Sequence, residues 1–179
     1  RWKREAEVSR LPPEGLARSV RAGLRYIVNM QPVRRAIFRT FFICFLGASL
    51  QSLLPLIARD LLAGDAQIFG LLLGAFGIGA VSGIFVLQAL RGKISNERII
   101  KSCSLILAVS LLVLARSTSL VLDLTVLLAA GMAWMVATTT ITITVQLFVP
   151  RWVMGRAIAT TSASTTLGIA LGSWMWGVV

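Results

Sequence analysis

The chain has 179 residues, 56% of them hydrophobic and 14% charged, with a mean hydropathy of +0.83. Soluble domains carry about 25% charged residues, and a soluble fold this apolar would expose more hydrocarbon than water tolerates. The composition therefore excludes an ordinary soluble domain and points to a membrane protein.

The net charge is +11. The basic residues sit in short clusters between apolar blocks, which is how loops beside membrane spans look, so nucleic acid is excluded as a partner. There is no His, and Cys44 and Cys103 both fall inside apolar segments. That offers no disulfide framework and no metal site. The chain begins Arg-Trp-Lys-Arg without Met and stops directly after an apolar segment. It reads as a piece of a longer polypeptide.

Residues 1–35 are polar and basic. From Leu16 onward a helical period sets Leu16, Val20, Leu24 and Ile27 against Arg18, Arg21 and Arg25. The spacing predicts an amphipathic helix, lying either on the bilayer surface or on a protein surface. Five apolar segments follow: Ala36–Ala58, Ile68–Leu90, Ile99–Ala115, Leu120–Val149 and Ala157–Val179. A span needs about 20 residues, so all five are candidates and residues 36–179 form one bundle. The predicted fold class is all-α, a polytopic transmembrane helical bundle.

The connections set the expected orientation. The leading segment through Arg39 carries ten Lys and Arg, residues 91–101 carry four and residues 150–156 carry two. The two intervening connections carry one each, Arg59 and Arg116. The positive-inside rule places the rich side in the cytoplasm, with the N-terminus of this stretch inside.

The fourth segment contains TTTITITVQLFVP, residues 138–150. Its alternation imitates a strand. A strand crosses a bilayer only in a closed barrel, and the neighbouring blocks are helix-length, so a helix is expected. At about 100° per residue, Gly131, Met135, Thr138, Thr142 and Gln146 then share a stripe, while Thr140 and Thr144 point elsewhere and bond back to their own helix. An unpartnered amide in hydrocarbon is costly, so the stripe faces other helices or water. It is either polar glue between helices or the lining of a substrate path. Gln51, Ser52 and Pro55 make a second polar, kinked patch in the first span, and Pro55 frees a backbone carbonyl.

Small residues recur at four-residue spacing. Gly70 with Gly74 and Gly79 with Gly83 form two GxxxG pairs, and Ser164, Gly168 and Gly172 repeat the spacing in the last segment. Such positions let helix backbones approach closely. The third segment is almost purely aliphatic and reads as peripheral. Asp123 is expected at the interface near Arg116, and Arg39 is expected to snorkel. No HExxH, GxGxxG or P-loop is present and the many hydroxyls lack a base, so neither an enzyme nor a cofactor is expected.

This order of parts resembles the C-terminal half of a major facilitator superfamily transporter, from the central loop through helices seven to eleven of twelve. The stretch VPRWVMGRAIATTSASTTLGIALGSWMWG, residues 149–177, is similar to the family pattern between helices ten and eleven, with Gly155 and Arg156 matching and Met154 standing where Arg is usual. LLPLIARDLL, residues 53–62, with GAFGIGAVSG, residues 74–83, looks like the branch that includes bacterial siderophore exporters of the enterobactin type, the transmembrane secretion effectors. The turn LRGKISNERII, residues 90–100, keeps the bases Arg91, Lys93 and Arg98, but its acid appears only as Glu97.

The resemblance implies a rocker-switch transporter in the bacterial inner membrane. Its partners would be the lipid bilayer, a small-molecule substrate, and an N-terminal half of the same polypeptide not included in this stretch. It implies proton-coupled export of a siderophore or an amphipathic compound, with Thr138, Thr142, Gln146 and Gln51 lining the cavity. A non-transporting membrane scaffold, or the membrane domain of another transporter class, stays open on the residues alone.

Overall fold

The computed structural model describes Arg25 and residues 29–56 and 66–178. The amphipathic helix expected within residues 1–35 lies almost entirely outside them, as does the connection bearing Arg59. Five long helices make up the described chain: α1 (Gln31–Leu56), α2 (Ala66–Leu90), α3 (Asn96–Leu114), α4 (Leu120–Phe148) and α5 (Arg151–Val178). The described residues contain no strand, and the Thr-rich run is helical as far as Phe148.

Local chemistry sets the helix ends. Gly92 follows α2 with φ of 80°, and the Lys93 and Ile94 amides donate to the Leu90 carbonyl. This is the left-handed stop that glycine adopts without steric cost. Pro150 ends α4, because the residue before a proline is pushed out of the helical region, and Val149 is extended at φ −101° and ψ 128°. Proline lacks only an N–H that a helix start does not use, so α5 begins at the next residue, with the Val153 amide donating to the Pro150 carbonyl at 3.0 Å.

This moves four residues expected in the turns. Gly155 and Arg156 lie inside the first two turns of α5 rather than in a turn, and Glu97 and Arg98 lie in the first turn of α3. Only Arg91 and Lys93 remain in the connection itself.

By length and apolarity alone, α1, α2 and α4 qualify as membrane spans. The other two fall short of that test for visible reasons. α3 has 19 residues and opens on Glu97, Arg98 and Lys101, while α5 is diluted by Ser and Thr.

Two parallel pairs organise the bundle. In α2 against α4, a Cβ added at Gly83 would meet the Met132 carbonyl oxygen at 2.9 Å, and Gly79 lies against the Leu128 backbone. Gly131 of α4 lies in return against the Phe76 carbonyl. In α1 against α5, Gly168 and Gly172 sit at 2.7 and 2.5 Å, on the same measure, from the Phe41 and Phe45 carbonyl oxygens. Ser164 continues that register by donating to the Ile37 carbonyl at 3.0 Å. Residues 37, 41 and 45 thus meet 164, 168 and 172, a match of two four-residue repeats.

α3 packs on α4, and α1 bridges the pairs by setting Gly47 under the Trp134 ring. α4 is the hub: Leu127, Ala130, Ala133, Val136, Ala137, Ile141 and Val145 are all buried. Outward, Phe85, Leu105, Leu112 and Val121 are each at least 66% exposed. Such a surface calls for a cover of lipid or of further apolar protein, which agrees with a membrane setting.

Candidate functional site

The polar stripe of α4 divides into two parts. Toward the start of the helix, Gly131 and Met135 are covered by α2. Toward its end, Thr138 is half-buried while Thr142 and Gln146 are exposed. The threonines between them behave differently. Thr140 is buried, and Thr144 accepts a hydrogen bond from Asn96 Nδ2 at 3.1 Å, so that side is occupied by α3. Alternate threonines therefore have separate tasks: one set packs and the other stays open.

The open set has a defined chemistry. Thr138 Oγ1 donates to the Trp134 carbonyl at 2.9 Å, and Thr142 Oγ1 donates to the Thr138 carbonyl at 2.9 Å. With their protons committed to the helix backbone, these hydroxyls offer lone pairs to whatever approaches. The Gln146 amide adds donors. No charged side chain stands on this part of α4.

Gln51 is also exposed, but the structure does not bring it into contact with that stripe. It borders a separate cavity of about 260 Å³ between α1 and α2, with Leu50, Leu54, Phe69, Leu73 and Phe76. The expected packing glycines divide as well. Gly79, Gly83, Gly168 and Gly172 meet a neighbouring helix, whereas Gly70 and Gly74 meet nothing within 4 Å.

One cluster was not foreseen in the sequence. Arg39 of α1 pairs with Glu97 of α3 at 3.1 Å, and Lys101 approaches the same carboxylate oxygen at 3.6 Å. With the Asn96–Thr144 bond, this ties α1, α3 and α4 together at the end bearing the basic connections. A half-open cavity of about 380 Å³ lies beside it, bordered by Arg35, Ile141 and Phe148 among others. Arg39 thus has a partner and does not simply snorkel. The charge alternation held the clue, since it already placed Arg39 and Glu97 at one end of the bundle.

The Arg39 hydrogen bond holds the Glu97 carboxyl below its ordinary value near 4.5, and the charge of Lys101 adds to this. A lowered acid stabilises the folded contact above the ordinary value and loses that contribution as the pH falls through the lowered one. The clasp should therefore be intact at neutral pH and open only in acid below the usual carboxylate range. Spin labels at positions 42 and 104, across the neighbouring groove, should show a widened distance distribution there. An unchanged distribution in acid would show that the ion pair holds nothing.

Asp123, expected at the membrane interface near Arg116, lies in the first turn of α4 and is packed among its neighbours. It is 0% exposed, and neither carboxylate oxygen has a hydrogen-bond partner among the described residues. Its position in the first turn of α4 supplies one compensation, because the amide end of a helix favours a negative group. A further cavity, about 690 Å³, is an apolar groove between α1 and α3, reached by Arg39 and Lys101 only at one end.

The described residues hold no cluster of His, Cys, Asp and Glu able to bind a metal. No curated protein and no solved structure matches this sequence. A family model does, described as transmembrane secretion effector, and it spans residues 1–179. The all-helical bundle with long apolar helices agrees with that description. The chain belongs to the transmembrane secretion effector family of the major facilitator superfamily, a family of membrane transporters.

Proposed function

We infer that the chain is part of a secondary active transporter that exports small molecules across the bacterial inner membrane by alternating access, driven by protons. Its helices serve as five of twelve spans, with the N-terminal end of this stretch in the cytoplasm. An N-terminal half of the same polypeptide supplies the facing wall of the cavity. The substrate is an amphipathic compound or a siderophore, and Thr138, Thr142 and Gln146 contact it.

One observation carries this reading: toward the end of α4, Thr142 and Gln146 stay open while Thr140 is buried and Thr144 is bonded to Asn96 of α3. Polar groups facing hydrocarbon are expensive, so an open polar face on a membrane helix fits a water-filled path. The family supports transport, and the distribution of basic residues supports the orientation.

The test is efflux of Nile red from cells making the intact protein. Efflux should stop when a protonophore collapses the gradient, and Gln146→Leu should slow it about tenfold, as loss of one desolvated hydrogen bond would. Efflux that survives collapse of the gradient but needs ATP would support a different transporter class. No efflux of any compound, with a normally folded protein, would favour a scaffold.

A further inference from the structure

We propose that the cavity between α1 and α2 is a binding subsite for an uncharged aromatic ring that carries a hydroxyl or amine donor. The proposal rests on the transporter reading and names the chemistry of one part of its substrate. At about 260 Å³ the cavity lies just under the usual range for whole ligands, about 300–1,000 Å³. It therefore suits one ring system of a larger molecule.

Its lining is two phenyl rings, Phe69 and Phe76, three leucines and one amide, Gln51. Rings stack on rings in offset or edge-on geometry, which favours a flat guest over an alkyl chain. No lining residue is charged, so a guest bearing charge would be desolvated there without compensation.

Gln51 gives the site its polarity twice over. Its side chain is exposed and makes no hydrogen bond to another described residue. Four residues on stands Pro55, inside the last turn of α1. Proline has no N–H, so the Gln51 backbone carbonyl lacks its helical donor at the same level of the helix. One residue thus presents a side-chain carbonyl, a side-chain NH2 and a main-chain carbonyl without its helical donor. A phenol or aniline edge satisfies these, donating to a carbonyl and accepting from the amide. An ether in the same place donates nothing.

The experiment uses the intact protein in lipid nanodiscs, with 2-naphthol and 2-methoxynaphthalene as probes. Leu73 lines the cavity and is 48% exposed, so Leu73→Cys reports occupancy. Alkylation by a water-soluble thiol reagent should be slowed saturably by 2-naphthol. Gln51→Met keeps the side-chain length and removes the amide, and it should raise the half-protecting concentration of 2-naphthol about fivefold to tenfold. Protection by 2-methoxynaphthalene should be weaker at the outset and lowered less by Gln51→Met, because an ether accepts but does not donate, whereas Phe76→Ala should weaken both. If Leu73→Cys does not fold, 2-naphthol fluorescence gives the same comparison without it. Absence of saturable binding, or an equal loss of both probes in Gln51→Met, would overturn the proposal. Binding as expected in a protein that shows no flux would keep the subsite and remove the transporter reading. Flux without protection would do the reverse.

Discussion

A single methyl group at Gly79 or Gly131 should destabilise the bundle more than any polar substitution in it. At Gly79 an added Cβ lands on the Leu128 backbone, with the Leu128 Cα at 2.9 Å. At Gly131 it lands on the Phe76 carbonyl, with the Ala80 nitrogen at 3.1 Å. Both obstacles are main chain, so no side-chain rotation relieves them. The two helices must separate, and all the contacts along α2 and α4 loosen together.

Forced expansion of a packed interior costs about 1–3 kcal/mol, and a clash with backbone belongs at the upper end. For a chain of this size, that corresponds to a fall in melting temperature of roughly 5–10 °C. Gly70→Ala and Gly74→Ala are the internal control, because nothing lies within 4 Å of either position. They should be neutral or slightly stabilising, since alanine is the better helix former by up to about 1 kcal/mol. Thermal unfolding of the purified protein, followed by loss of its monodisperse peak, separates the two classes. Equal melting points for Gly79→Ala and Gly74→Ala would refute the packing described for α2 and α4.

The same contrast shows what a sequence alone conveys. GxxxG spacing marks four glycines of one helix as equals. It states that a backbone is able to come close, not which backbone does. Gly79 and Gly83 face α4 because the register of α4 offers Leu128 and Met132 at the same interval. That match is a property of two segments about fifty residues apart, and no local pattern contains it. The helical character of residues 138–148 was legible, because the bilayer removes the strand as an alternative whatever the local alternation.

Helices α3 and α5 begin before the apolar segments they contain. Hydropathy ends a span at the first charge, whereas the helix backbone continues through charged residues such as Glu97 and Arg156. Asp123 was legible as a residue near the helix end beside Arg116, but not as a buried one. Its burial follows from how α4 packs at its first turn, which the sequence does not display.

Cysteine accessibility along α4 should follow the packing and not the alternation of residues. In the intact protein, replacements at positions 142 and 146 should react fastest with a water-soluble thiol reagent, because both native side chains are exposed. Position 138 should react more slowly, since Thr138 is half-buried. Position 144 sits against Asn96 and position 140 is buried, so these should be slowest. The native cysteines, Cys44 and Cys103, are both buried and contribute little background.

Function should divide along the same line. Thr142→Val preserves shape and removes the outward lone pairs together with the local bond to the Thr138 carbonyl, which keeps its helical partner, so it should change stability little and weaken transport of a donor-bearing compound roughly fivefold. Thr144→Val strips Asn96 of its acceptor and should lower stability by about 1 kcal/mol, with little effect on substrate affinity. Equal labelling at 142 and 144, or a transport defect in Thr144→Val as large as that in Thr142→Val at matched stability, would reduce the polar face to interhelical glue. Faster labelling at 142 and 146 that is suppressed by a transported compound would place substrate against this face. That result would also explain why every hydroxyl on it has its proton turned inward to the helix: a surface of acceptors, fixed before the substrate arrives, loses no side-chain freedom on binding.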